Sequence, residues 1–277
     1  MAQARGGEPI FEVRDLCFAY DERISALDRI TLRVERGEIL AILGANGSGK
    51  STLLKILDGL YFPSSGTVRA FGRTLSEQAL RDDRFNFDFR ARVGFVFQDS
   101  DAQLFMPSVW DEIAFGPLQL GIDPAETSAR VEGALRALHI EKLRDRAPHQ
   151  LSGGEKKQVA LASVLSLSPE VWMLDEPSAG LDPRSVSWLI EFIAHQGSIG
   201  KTVVLSTHDL AIVEATADRV YVLDERHRII AEGAPGEVLS DRALLVRANL
   251  IRERTVKARS RSVALFAATL DQTIDQR

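Results

Sequence analysis

The stretch ILAILGANGSGKSTLLKIL, Ile39 to Leu57, decides how the rest of the chain is read. The unbroken apolar run Ile39–Leu43 suits a strand buried on both faces, as in a parallel sheet. It closes the segment ITLRVERGEILAILG, which reads as one strand following an earlier alternating strand, IFEVRDLCFAY. Beyond the glycines, STLLKILDGL places Leu53, Leu54, Ile56, Leu57 and Leu60 where a helix packed on a sheet needs them. Between strand and helix lies GANGSGKS, a phosphate-binding loop pattern that rarely falls between the correct two elements by chance. Gly44, Ala45, Asn46, Gly47, Ser48 and Gly49 can turn their amides inward, and the helix N-terminus adds partial positive charge. Lys50 then reaches the β- and γ-phosphates, Ser51 offers its hydroxyl to Mg²⁺, and Thr52 completes the ATP-binding stretch.

Working outward, PSSG (Pro63 to Gly66) reads as a turn and TVRAFG as a short strand. From about Leu75 to Leu167 the pattern is largely helical, most clearly in ETSARVEGALRALHI, and predicts a helical insertion into the sheet. The sheet resumes with VWMLDEP, KTVVLSTHD and RVYVLDE, with SWLIEFIAHQ as a helix between them. Strands alternating with helices predict an α/β fold with a mostly parallel sheet. Asp175 ends the apolar strand VWML, where open α/β sheets place ligands, and is expected to hold the Mg²⁺ shell. Glu176 can point at the water that attacks the γ-phosphate. Two adjacent acids could alternatively form a solvated turn. His208 follows VVLST at the same sheet edge; alone it reads as an ordinary core or surface histidine, and in this company as a γ-phosphate contact. Gln98, in VGFVFQD, is ambiguous by itself.

A net charge of -5 does not suggest nucleic-acid binding. The single cysteine, Cys17, excludes an internal disulfide and a cysteine metal cage, and in its alternating run it reads as a packed thiol. No secretory signal is expected in Met1 to Pro9, and the uncharged run QVALASVLSLSP is too short to span a bilayer. Beyond Ser240 a helical-looking tail collects Arg252, Arg254, Lys257, Arg259 and Arg261, either a solvated face or a contact for a partner or anionic lipid.

One motif is left over. LSGGEKKQV, Leu151 to Val159, is a second glycine turn opening onto a helix, in a chain that already has one phosphate cradle. The ordered set Tyr20, GANGSGKS, Gln98, LSGGE, VWMLDEP, SAGLD and His208 resembles the ATPase subunits of ATP-binding cassette (ABC) transporters, across about residues 8 to 240. The resemblance implies a P-loop NTPase (RecA-like) core with a mostly parallel sheet, an antiparallel β subdomain, an inserted α-helical subdomain at about 92–166, and a C-terminal helical extension at 241–277. It implies Tyr20 stacking on adenine, Gln98 serving Mg²⁺ and the hydrolytic site, and Glu176 and His208 as catalytic groups. It further implies that Leu151, Ser152, Gly153, Gly154 and Glu155 act on ATP bound by a second ABC ATPase subunit, a copy or a paralogue, in a head-to-tail dimer. Ser178, Ala179, Gly180, Leu181 and Asp182 form the loop crossing that interface. A Ser hydroxyl, glycine amides and a helix N-terminus make chemical sense as a second anion cradle.

FQDSDAQLF followed by VWDEIAFGP is similar, more narrowly, to the ATPases of energy-coupling factor importers, especially those of cobalt or nickel uptake. That likeness implies a peripheral location at the cytoplasmic face of the cell membrane, a transmembrane scaffold, a substrate-capture membrane protein, and no nucleic acid. Phe105, Met106, Trp110 and Phe115 then either line a groove for a scaffold helix or belong to the core. Ala102, Glu155 and Gln158 depart from the family pattern. A vitamin importer and a soluble ABC ATPase of DNA repair or translation are the alternatives; a non-hydrolysing sensor would normally lack Glu176, His208 or LSGGE.

Overall fold

The computed structural model describes residues 8–21 and 24–252. Along the chain run β1 (Phe11–Ala19), β2 (Ser25–Val34), β3 (Ile39–Gly44), α1 (Lys50–Leu57), β4 (Ser65–Ala70) and β5 (Arg73–Thr74). Then come α2 (Glu77–Leu80), α3 (Asp83–Arg92), β6 (Val93–Val96), α4 (Val109–Gln119), α5 (Pro124–Ala137) and α6 (Gly153–Leu165). The remainder is β7 (Val171–Asp175), α7 (Pro183–Ser198), β8 (Thr202–Thr207), α8 (Leu210–Thr216), β9 (Arg219–Leu223), β10 (Ile229–Gly233), α9 (Pro235–Ser240) and α10 (Arg242–Arg247).

Two sheets result. A six-stranded sheet has the order β10-β9-β3-β8-β7-β6, parallel except for the β9–β10 hairpin. A four-stranded antiparallel sheet has the order β2-β1-β4-β5. Because strand side chains alternate faces, each central strand feeds two cores. Leu40, Ile42, Val171, Met173, Val204 and Tyr221 meet α1 and the antiparallel sheet on one side. Ala41, Leu43, Trp172, Leu174, Val203, Leu205 and Val220 meet residues of α4–α8 on the other. The apolar runs of these strands therefore reflect burial on both faces, each buried Leu, Ile or Val contributing about 1.5–3 kcal/mol.

The structure corrects four local expectations. ITLRVERGEILAILG is two strands in different sheets, separated by a turn after Val34 that contains Gly37 at φ 72° among the charged Glu35, Arg36 and Glu38. Leu60 lies beyond α1, after Gly59 at φ 67°, and is exposed. Ser65 and Gly66, expected in a turn, open β4. The stretch expected to be helical contains β6, which pairs in parallel with β7 and forms an edge of the main sheet. Cys17 is half-buried and free, and its Sγ accepts the Arg29 amide. Arg254, Lys257, Arg259 and Arg261 lie outside the described residues. Among the described residues, no helix is long and apolar enough to cross a membrane.

Candidate functional site

The sheet order brings the ends of β3, β7 and β8 side by side, and their following residues converge there. Gly49 caps α1 at φ 104°, and a Cβ on it would stand 2.3 Å from the Ala26 carbonyl, so only glycine fits. No side chain caps α1 and no acid stands in its first turn, which leaves its leading amides for an anion. A cleft of about 510 Å³ opens before them, lined by Tyr20, Asn46, Gly47, Gly49, Lys50, Ser51, Thr52, Gln98 and Glu176 among others. Gly44 ends β3 and Ser48 is buried in the loop. The Ala45 carbonyl accepts from Lys50.

Lys50 is buried and donates to the carbonyls of Gly44 (2.8 Å) and Ala45 (3.1 Å). Its ammonium also lies 2.9 Å from Glu176 Oε1, an ion pair without hydrogen-bond alignment, since Oε1 has no hydrogen-bond partner. Glu176 Oε2 meets His208 Nδ1 at 2.9 Å. Glu176 reaches both because its φ is 41°, a strained turn straight after β7, with its amide held by Ser206 O and Oγ. Asp175 Oδ1 accepts from Ser51 Oγ (2.7 Å) and Ser206 Oγ (2.6 Å). That carboxylate is only 3% exposed and makes no ion pair among the described residues. A buried carboxylate with two hydroxyl partners, and with no cation within ion-pair distance among the described residues, fits a hard divalent ion such as Mg²⁺.

Tyr20 is half-exposed at the cleft mouth, its hydroxyl 2.7 Å from Thr52 Oγ1 and its ring edge-on to Phe18 and Tyr61. An aromatic face at this position can stack on a nucleobase.

The structure gathers the second glycine turn elsewhere. Gly154 and Glu155 share a cavity of about 460 Å³ with Leu181, Asp182 and Ser185, and none of its lining residues borders the phosphate loop's cleft. Ser152 and Gly153 are exposed and Leu151 is buried. Ser152 and Glu155 close a capping box: the Ser152 amide and hydroxyl both donate to Glu155 Oε2 at 2.9 Å. Those donors hold the Glu155 carboxyl below its ordinary range. Ser178 and Ala179 are half-buried and Gly180 is exposed. Asp182 caps α7 through the amides of Arg184 and Ser185, which lower its pKa, the Ser185 amide most.

Sequence reasoning missed three residues here. Ser206 bridges Asp175 and the Glu176 amide; its place in the strand-end run VVLSTH could have signalled it. His227 lines the nucleotide cleft and donates from Nδ1 to Ser48 O at 3.2 Å, on a hairpin turn that carries no motif. Lys157 is 2% exposed and donates to the carbonyls of Phe97 (3.0 Å) and Gln98 (2.9 Å). Burial pushes its ammonium down to about 8 against the opposing pull of Asp175 and Asp99. The aromatic set splits: Phe105 is 64% exposed and edge-on to half-buried Phe115, Met106 is half-buried, and Trp110 packs on the core beneath Arg144.

The family model described as ABC transporter matches residues 27–179. The nickel import ATP-binding protein NikO of Rhodobacter capsulatus is 49% identical over 246 residues, covering 88% of this chain and 96% of that protein. The cobalt import ATP-binding protein CbiO of the same organism is 47% identical over 242 residues, 87% of this chain and 85% of that one. Among solved structures, cbiO1 of Clostridium perfringens, part of the ABC transporter complex cbiONQ, superposes with a TM-score of 0.75. It is 35% identical and covers 95% of this chain and 100% of that one. A dimeric ATP-binding cassette in a post-hydrolysis state, bound to ADP and Pi, has a TM-score of 0.72 at 26% identity, covering 81% of this chain and 98% of that one.

Proposed function

The chain belongs to the ABC transporter family and is an ATPase, and from that premise we propose that it is the ATP-hydrolysing subunit of an energy-coupling factor importer, working as a head-to-tail dimer. The observation that carries the dimer is the separation of its two anion cradles. Lys50 and Glu176, the latter paired with His208, line one cleft, while Gly154 and Glu155 of the second glycine turn line another. A turn with a serine hydroxyl and uncommitted glycine amides can cap the γ-phosphate on a second subunit, and two such subunits complete each other's sites. A relative solved as a dimer bound to ADP and Pi supports pairing of two such subunits.

Within each site the residues take the following roles. Tyr20 stacks on the base, and residues 44–52 cradle the phosphates. Lys50 leaves Glu176 for the β- and γ-phosphates, and Glu176, released, accepts a proton from the attacking water. His208 Nδ1, already 2.9 Å from Glu176, orients that carboxylate and meets the γ-phosphate. Ser51, Asp175 and Gln98 would hold Mg²⁺, which would supply neutralisation of phosphate charge. The loop Ser178–Asp182 crosses between subunits beside the Ser152–Gly154 turn, the signature turn. ATP thus joins the pair and its hydrolysis releases it, a population shift driven by differential binding.

Uptake of cobalt or nickel is supported by the names of NikO and CbiO, and membership of a larger complex by that of cbiO1; a transmembrane scaffold, a substrate-capture membrane protein and a peripheral position at the cytoplasmic face complete the proposal. Exposed Phe105 with Phe115 is the proposed contact for the scaffold.

Complementation tests the trans arrangement. Ser152→Arg and Lys50→Ala should each abolish hydrolysis alone, and mixing them should restore turnover through one intact composite site. Subunit exchange is verified by tagged co-purification. Exchanged mixtures without turnover would overturn the reading.

A further inference from the structure

The turn joining β9 and β10 touches the phosphate loop through one side chain. Asp224 organises that turn: its Oδ1 accepts the amides of Arg226 (2.9 Å) and Arg228 (3.0 Å), and its carbonyl accepts that of His227 (3.1 Å). The turn is tied to β2 at Asp28, whose amide donates to the His227 carbonyl (3.0 Å) and whose carboxylate accepts from Arg228 Nε (2.6 Å). The backbone of His227 is thus held where its ring meets the loop.

His227 has φ 63°, a conformation that favours glycine, and its own imidazole takes no part in the hydrogen bonds that close the turn. The half-buried ring instead lines the nucleotide cleft and donates from Nδ1 to Ser48 O at 3.2 Å. A carbonyl oxygen only accepts, so this partner fixes the proton on Nδ1. Among the described residues His227 is the one donor to the Ser48 carbonyl, and the buried Ser48 hydroxyl has no partner that would hold the residue instead. In a trans peptide the C=O and the following N–H point in opposite directions. The direction of the Ser48 carbonyl therefore sets that of the Gly49 amide, at the head of α1 in the same cleft. Gly49 has no Cβ to resist rotation of this peptide, so the restraint has to come from outside the loop.

We propose that His227 is a positioning residue for the nucleotide: its ring pins the Ser48 carbonyl and so aims the Gly49 amide at the β-phosphate. A strained backbone kept at a cleft is then explained by the donor it carries. This rests on reading that cleft as the nucleotide site, adds one residue to it, and does not depend on the dimer.

The test titrates ATP and ADP, with Mg²⁺, into the full chain in a Ser152→Arg background, where pairing is blocked, and melts each variant without nucleotide. His227→Gly should bind both nucleotides about tenfold more weakly, because the phosphate-loop amides serve the phosphates the two share. Its melting temperature should equal or exceed that of the parent, because glycine relieves the positive φ. His227→Asn should return affinity to within about twofold of the parent: asparagine tolerates this backbone and carries its Nδ2 donor on Cγ, as imidazole carries Nδ1. His227→Ala has no donor but a less free backbone than glycine, and should lose as much affinity as His227→Gly. Unaltered affinity in His227→Gly, an asparagine variant as weak as the glycine, or an alanine variant as tight as the parent overturns the proposal. So does a loss confined to ATP, which would place the effect at the γ-phosphate. A melting temperature that falls together with affinity in His227→Gly makes the ring a support of the fold and overturns it as well. A parent that binds neither nucleotide overturns the cleft and this inference together, whereas an ATP-binding parent with an unaltered His227→Gly overturns this inference alone.

Discussion

Replacing Lys50 by methionine should damage the nucleotide-free protein as much as the loaded one. Lys50 and Glu176 are each buried, 2.9 Å apart, and the ammonium's other contacts are the carbonyls of Gly44 and Ala45. Methionine keeps the length and helix propensity of lysine, so its effect is chiefly the loss of charge. Among the described residues, Glu176 is then left with the His208 ring as its only partner within ion-pair distance. Removing one member of a buried pair typically costs about 3–5 kcal/mol; the missing alignment of this one places the expectation at about 3. For a domain of this size that lowers Tm by about 6–12 °C. Glu176→Gln removes the opposite charge but keeps an oxygen near Lys50, whose carbonyl contacts survive, and should cost about 1 kcal/mol or less. The double variant should therefore recover about 2 kcal/mol relative to Lys50→Met, because no unpaired charge remains. The same pair must part before Lys50 can reach phosphate. Glu176→Gln should thus bind ATP about tenfold more tightly, a gain of about 1.4 kcal/mol. Calorimetric melts without nucleotide measure the first effect, and ATP titrations in the unpaired Ser152→Arg background isolate the second from dimer formation. A double variant no more stable than Lys50→Met, together with an unaltered ATP affinity in Glu176→Gln, would refute the competition between carboxylate and phosphate.

Two further outcomes follow from titratable groups away from the phosphates. Asp58 closes the C-terminus of α1, is 4% exposed, and is pushed up to about 7 by burial, against the pull of Arg90 at 3.0 Å. A raised carboxyl contributes most below its unfolded value near 3.8 and loses that contribution as pH rises through about 7. The stability of wild type relative to Asp58→Asn should therefore fall by up to about 1.4 kcal/mol per pH unit between pH 5 and 7, read from urea midpoints; a flat or rising difference contradicts the assignment. At the signature turn, Glu155→Gln should leave the melting temperature nearly unchanged because glutamine can close the same capping box, while Glu155→Ala should cost about 1 kcal/mol. Equal losses in the two variants would mean that the carboxylate charge, not the box, holds the turn.

What the sequence makes legible follows from how locally each feature is specified. GANGSGKS and VWMLDEP carry their geometry in their own residues: glycine freedom, a buried strand, acids at its end. The α/β core with its mostly parallel sheet is readable for the same reason, since apolar runs bounded by turns identify strands covered on both faces. Which strands share a sheet is not local. ITLRVERGEILAILG reads as continuous because nothing in its periodicity announces that Val34 and Ile39 belong to different sheets; only the charged turn with Gly37 hints at the break. VGFV, four residues flanked by helices, is too short to stand out by period, and it is a strand because β7 lies beside it. The roles of Ser206 and Lys157 depend on partners 31 and 60 positions away in the chain, distances at which no motif is visible. The departure at Glu155 shows the converse. Judged against a family pattern it raises doubt about the local charge network; judged by spacing, Ser152 followed at the third residue by an acid is a capping signal. The acid satisfies the Ser152 amide and leaves the glycine amides of Gly153 and Gly154 uncommitted, which is the condition an anion cradle for a neighbouring subunit requires.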